Sequence, residues 1–370
     1  MSLNSLVLCP EERVLRPLRR VLSDLEIGIE DCRDADSAVR QLTRRRFEAV
    51  TVDCFDNQTA AKVLAGVRNA PGNRHAIAVA MIDRREPARN AFDLGADFIL
   101  YKPFSFERAR SSFRSARALM KCESRRNSRL PIAIPVLLAT ERRHQLALTS
   151  DVSEGGIAVR LRASQRLAPG STDIQFTLPG TDAFIQCRVE VAWTSMGSDT
   201  GIRFVDLSRR QREQLRSWLG QYRPETELND EPLRCRLTDV SAAACYAQMP
   251  APFPVGARIT ITMQSAVNRL SIDGVARITH PEVGMGIEFE RSTDESRDQV
   301  KTFLRALRRK DPFAEFTVAP LAIEPLPSLP DSADDDPLLN LFQRHPELCT
   351  EDFHEELRKL RGSSTTAVRS

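Results

Sequence analysis

Five residues in this 370-residue chain have the types and spacing to do chemistry together. Arg125 and Arg129 stand four apart; after the apolar run Pro135-Val136-Leu137-Leu138, the segment Asp151-Val152-Ser153-Glu154-Gly155-Gly156 supplies a carboxylate, a hydroxyl and a glycine. A guanidinium is a planar fork that grips phosphate, or the O6/N7 edge of guanine, through two parallel hydrogen bonds, which lysine cannot do. Asp151 can accept from the N1–H and amino group of guanine, Ser153 can donate to phosphate, and Gly156 permits a backbone turn close to a ligand. The set suits a phosphorylated guanine.

Short strands and one helix must hold these groups. The runs 157–161, 174–178, 187–193 and 201–204 alternate partly in and out, with turns at Pro169-Gly170 and Pro179-Gly180, and predict a small barrel. A helix over 210–221, with Leu215, Trp218 and Leu219 on one face, closes it, and Trp193 is assigned to the barrel core. RxxxR alone is common in an arginine-rich chain, and Asp-x-Ser-x-x-Gly makes an ordinary turn. In this order, before such strands, the two motifs resemble the PilZ domain, a small β-barrel receptor for the bacterial second messenger cyclic di-GMP. The resemblance implies a ligand site at Arg125, Arg129, Asp151, Ser153 and Gly156, with Arg126 and Gly155 in support, and neither catalysis nor a cofactor. The competing reading makes the arginines solvated charge at a barrel end and Asp-Val-Ser an Asx-turn.

A second centre is Asp53, at the end of the apolar run 47–53. Runs at 6–8, 47–53, 76–81 and 98–101 alternate with helical patterns, which predicts a parallel sheet wrapped by helices. The order, and the closing Ala91-Phe92-Asp93-Leu94-Gly95-Ala96-Asp97-Phe98-Ile99-Leu100-Tyr101-Lys102-Pro103-Phe104, resemble a response-regulator receiver, a flavodoxin-like α/β domain. That resemblance implies phosphorylation at Asp53, a salt bridge from Lys102 and a cis Lys102–Pro103 bond. Phosphoryl transfer to a carboxylate also needs Mg²⁺ held by oxygen ligands. Cys9 and Pro10 stand where a receiver carries its acidic pair, with Glu11 and Glu12 beyond, and Ala80-Met81 replace the expected hydroxyl residue. The reading is a pseudo-receiver that docks on a protein, or pairs with a second copy as a homodimer, through its helical face.

Residues 238–244, Thr-Asp-Val-Ser-Ala-Ala-Ala, parallel residues 150–156, and Gly286-Ile287-Glu288-Phe289 parallels Gly201-Ile202-Arg203-Phe204. This predicts a second, degenerate barrel. Ala244 replaces the motif glycine, no RxxxR precedes Asp239, and a charged helix is expected over 296–309. Residues 311–336, with five prolines and Asp334-Asp335-Asp336, read as an extended linker. Beyond it, 337–342 and 352–360 can form short amphipathic helices, either a docking peptide or a frayed terminus.

The resulting plan is a receiver-like domain (1–120), a PilZ domain with intact motif (121–222), a degenerate PilZ domain (223–310) and a linker with a helical tail (311–370). Residues 121–124 act as a joint leading into the motif arginines. A net charge of +3 on 28% charged residues gives no reason to expect a nucleic-acid partner. No apolar run reaches the roughly 18 residues of a membrane span, and no export signal is evident. Eight cysteines without a CxxC pair or a histidine at ligand spacing predict no metal site and small buried thiols in a reducing compartment. The expectation is a cytoplasmic, non-enzymatic cyclic di-GMP effector acting on a protein partner through the receiver-like domain, the second barrel or the tail. The alternatives are a nucleotide-independent scaffold and a phosphorelay receiver using Asp53.

Overall fold

The apolar runs near the N-terminus become β1 (Leu3–Leu8), β2 (Ile27–Cys32), β3 (Ala49–Asp53), β4 (Ile77–Asp83) and β5 (Phe98–Lys102). Between and after them lie α1 (Glu12–Asp24), α2 (Ala35–Arg44), α3 (Asn57–Asn69), α4 (Ala88–Asp93) and α5 (Phe106–Asn127). The strands pair in parallel in the order β2-β1-β3-β4-β5. Helices cover both faces, so β3 is buried along its whole length and needs no polar alternation. Asp34 and Asp56 accept from backbone N–H groups at the starts of α2 and α3, caps worth about 1 kcal/mol each. The Lys102–Pro103 bond is cis. This is the receiver-like α/β fold expected from the sequence.

The computed structural model describes residues 3–70, 72–127, 129–140, 143–161, 171–194, 199–222, 232–241, 243–264, 269–290, 302, 315–323, 336–344, 351–353 and 355–359; the side chains of residues 125–127, 140, 143, 171, 322, 343 and 344 lie outside it.

Two closed antiparallel barrels follow. The first comprises β6 (Pro135–Thr140), β7 (Arg143–Val152), β8 (Gly156–Arg160), β9 (Ser171–Thr177), β10 (Phe184–Thr194) and β11 (Asp199–Phe204), in the order β10-β11-β8-β7-β6-β9. Leu215, Trp218 and Leu219 of α6 (Arg209–Gly220) join its core, and the Trp218 indole donates to Pro179 O at 2.9 Å. The second comprises β12 (Leu233–Val240), β13 (Ala244–Gln248), β14 (Ala257–Gln264), β15 (Arg269–His280), β16 (Gly284–Phe289) and β17 (Glu315–Ile323), in the order β12-β13-β16-β15-β14-β17. The tail adds α7 (Pro337–Arg344) and helical residues 351–353 and 355–359.

The sequence repeat is thus a structural one, with a rearrangement. β12, β13, β14, β15 and β16 take the places of β7, β8, β9, β10 and β11, and β17 takes the place of β6 between the counterparts of β7 and β9. The strand that comes first in the first barrel comes last in the second, so the second is a circular permutant.

Two expectations are corrected here. Residues 315–323, assigned to a linker, form a strand, because a barrel lacking β17 would leave β12 and β14 with open edges. Pro320 is accommodated at a register shift between β14 and β17, where a missing N–H costs least. Residues 121–124 are not a separate joint but part of α5, which runs unbroken to Asn127. The helix expected over 296–309 lies outside the described residues apart from Thr302.

The chain divides into two compact units, Met1–Glu123 with Glu231–Ser370, and Ser124–Asp230. Within the first unit the parallel sheet and second barrel share one apolar cluster. Ser115 Oγ donates to Ala251 O at 2.8 Å, Cys122 Sγ donates to Pro320 O at 3.1 Å, and Arg84 pairs with Glu282 at 2.8 Å. The first barrel is therefore an insertion between two parts that pack together.

Candidate functional site

An isolated antiparallel bridge between Leu130 and Val152 assembles the motif groups of the first barrel. Leu130 N donates to Val152 O at 2.8 Å and Val152 N to Leu130 O at 2.9 Å. This clamps the residue after Arg129 beside the residue after Asp151, and Arg129 Nη1 reaches Asp151 Oδ1 at 2.9 Å. The pair is half exposed on the arginine side, 46% against 23% for Asp151, so it adds little stability while keeping both groups accessible.

One cross-strand row forms the platform beneath it. Asp151 lies opposite Ala158, Ala158 opposite Gly201, and Gly201 opposite Trp193, and residues directly opposite in antiparallel strands share a face. The small side chains of Ala158 and Gly201 stand between a carboxylate and an indole, and both residues are buried. A β-carbon on Gly201 would stand 2.1 Å from Trp193 Nε1, so the ring occupies the space the glycine vacates. Arg129 Cζ lies 5.9 Å from the Trp193 ring centroid. Carboxylate, guanidinium and aromatic ring together offer hydrogen bonding, charge and stacking to a planar anionic ligand.

Trp193 corrects the sequence reading, because it is 41% exposed rather than core. Along β10, Ile185, Cys187 and Val189 point inward at every second position, which puts Trp193 inward by extrapolation. A register shift between Val191 and Trp193 reverses that phase.

The remaining motif residues shape the backbone. Ser153 is buried; its N–H and its hydroxyl both donate to Gly156 O, at 2.8 and 2.9 Å, closing the turn. Gly155 has open space around it, whereas a β-carbon on Gly156 would meet Ile202 O at 2.1 Å. Gly156 thus permits close approach of β8 and β11 rather than an unusual turn. Glu154 is tied to Arg216 of α6 at 3.4 Å. Arg125 and Arg126 occupy the last turn of α5, and their side chains lie outside the described residues.

The second barrel repeats this framework. Ser241 N–H and Oγ donate to Ala244 O at 2.8 and 3.1 Å, matching Ser153 and Gly156. The equivalent row is Asp239, Tyr246, Gly286 and Ile278. The permutation also shows where an arginine pair belongs. Register matches Phe316 of β17 to Val136 of β6. Arg125 and Arg129 precede Val136 by eleven and seven residues, and Arg305 and Arg309 precede Phe316 by the same intervals. Arg305 and Arg309 lie outside the described residues.

In the α/β domain, Asp53 is fully buried and paired with Lys102. Cys9 Sγ donates to its other oxygen at 3.5 Å, and burial, then the Asp53 charge, push the Cys9 thiol up to about 12. A protonated thiol is no ligand for Mg²⁺, and Glu12 is held by Arg19 at 2.8 Å. Among the described residues no group of three His, Cys, Asp or Glu is placed to hold a metal ion. The residues present do not fit the magnesium centre of an active receiver.

Residues 123–221 match the family model described as the PilZ domain, which spans the first barrel and supports the resemblance drawn from its motifs. The solved PilZ domain of CeSA from a cellulose synthesizing bacterium is 21% identical over 26% of this chain and 99% of its own, with TM-score 0.22. The chemotaxis response regulator CheY4 of Vibrio cholerae is 17% identical over 31% and 99%, with TM-score 0.30. The receiver domain of sensor histidine kinase PA1611 from Pseudomonas aeruginosa PAO1 is 18% identical over 32% and 98%, with TM-score 0.29. No curated protein matches the chain. No helix among the described residues is long and apolar enough to cross a membrane.

Proposed function

We propose that the chain is a non-enzymatic, cytoplasmic effector that binds cyclic di-GMP on its first barrel and passes that event to a protein partner. The Arg129–Asp151 pair beside the exposed Trp193 carries this reading. Arg125, Arg126 and Arg129 grip phosphate and guanine edges, Asp151 takes the guanine N1–H and amino donors, and Ser153, Gly155 and Gly156 hold the loop. Ligand binding fixes the end of α5 through Arg125. Because α5 is also a helix of the receiver-like domain, the grip changes how the first barrel is held on its neighbours. Regulation of a partner by that change completes the proposed mechanism.

The phosphorelay alternative is disfavoured by the Lys102–Asp53–Cys9 arrangement. Isothermal titration of cyclic di-GMP into the native chain and into Arg125→Ala/Arg129→Ala tests the nucleotide reading. Binding that the double variant loses supports it, and no binding by the native chain overturns it.

A further inference from the structure

The row that reaches solvent at Asp151 and Trp193 on the first barrel is covered on the second. Gly286 corresponds to Gly201, and a β-carbon there would stand 2.6 Å from Ile278 Cγ2 and 2.7 Å from Phe342 Cε1 and Cζ. Each barrel therefore uses a glycine to seat an aromatic ring on its outer face. In the first barrel the ring is Trp193 from the neighbouring strand; in the second it is Phe342 from α7. Ile278, the counterpart of Trp193, is buried beneath the tail. Phe353 packs 5.1 Å from the Tyr246 ring and 4.6 Å from the His280 ring, and the Tyr246 hydroxyl and His280 Nδ1 lie 3.0 Å apart. Leu338, Leu339, Phe342, Phe353 and Leu357 are all buried here, with Asp336 accepting from Leu338 N and Leu339 N at the start of α7.

We infer that the second barrel is a helical-peptide socket and that residues 336–344, 351–353 and 355–359 of the same chain are its resident occupant. Replacing Ala158 by Tyr246 and Trp193 by Ile278 turns a flat surface suited to a planar base into an apolar recess for two phenylalanines. An amphipathic helix laid into such a recess is a common mode of peptide recognition. This inference does not rest on the nucleotide reading of the first barrel, since its primary test contains no nucleotide.

The test uses the full chain carrying Phe342→Ala/Phe353→Ala. Amide exchange over 338–344, slow in the native chain, accelerates about tenfold or more in the variant. A synthetic peptide of residues 336–359 then binds the variant but not the native chain, whose tethered copy acts at an effective concentration of roughly millimolar. Should the double variant lose cooperative melting, Leu339→Ala replaces it with the same two measurements. A folded variant whose exchange is unchanged, or which ignores the peptide, overturns the inference. So does a second equivalent of cyclic di-GMP that appears in the tail variant and vanishes with Arg305→Ala/Arg309→Ala, which would make the face a closed nucleotide site.

Discussion

Gly201 and Trp193 share one volume: the indole Nε1 lies 2.1 Å from where a β-carbon on Gly201 would be. Gly201→Ala must displace the ring. The ring is part-exposed, so the expected stability cost is about 1 kcal/mol, at the low end for overpacking. Its environment changes more. With only two tryptophans in the chain and Trp218 buried, a shift in emission from the exposed population reports the displacement.

Gly156→Ala meets backbone instead, since its nearest neighbour would be Ile202 O at 2.1 Å. No rotamer change relieves that clash, so β8 and β11 must separate. We expect a loss of about 2–4 kcal/mol in the stability of the Ser124–Asp230 unit, read as a lower denaturation midpoint. An unchanged midpoint would contradict the strand spacing described here.

Arg129→Ala separates binding from folding. The ion pair it removes is half exposed and contributes up to about 1 kcal/mol to stability. Loss of a charge-assisted fork to the ligand costs roughly 10- to 100-fold in cyclic di-GMP affinity. Calorimetry and thermal melting of one sample resolve the two effects.

Alkaline pH should weaken the two units unequally. Burial pushes the thiols of Cys9, Cys54, Cys187 and Cys235 up to about 12 from an ordinary 9.0, Asp53 adding to the effect at Cys9 and Cys54. Below about pH 9 folded and unfolded chains are equally protonated at these groups. Above it the unfolded chain ionises first, so stability is intact below that point and falls as pH rises toward 12, by up to roughly 1.4 kcal/mol per pH unit for each thiol. Cys9, Cys54 and Cys235 belong to the first unit and Cys187 to the second, so calorimetric melting between about pH 8 and 11 should show the first unit declining more steeply.

Acetyl phosphate should not label Asp53. Its carboxylate is buried between Lys102 and a protonated Cys9, with no acidic pair to hold Mg²⁺. Phosphate incorporation that disappears in Asp53→Ala would refute the pseudo-receiver reading.

The parts of the fold with local signatures were legible in the sequence. Alternating apolar runs gave the parallel sheet, and the Asp-Val-Ser segments gave both barrels, because turn and pairing are encoded within a few residues. Features set by distant pairing were not. The phase of Trp193 depends on a bulge that alternation cannot reveal, and β17 reads as linker because its pairing partners lie far earlier in the chain, as Gln264 with Glu315 and Leu233 with Val318 show. At the candidate site the sequence named Arg129 and Asp151 but not the ring beside them. The RxxxR spacing of Arg305 and Arg309 stands before β17 rather than before Asp239, and nothing local announces the permutation that makes this the equivalent position.

The permuted order of the second barrel also dictates when each part can fold. A chain emerging from the ribosome carries every strand of the first barrel, and α6, by Gly220. The second barrel is still open when Phe289 appears, with β12 and β14 unpaired along one edge until β17 is made. The insertion can therefore mature while its host is unfinished. The host's closure is the late event of synthesis, and an arrest or truncation before Glu315 should leave a closed first barrel together with an aggregation-prone second barrel of five strands, open at β12 and β14.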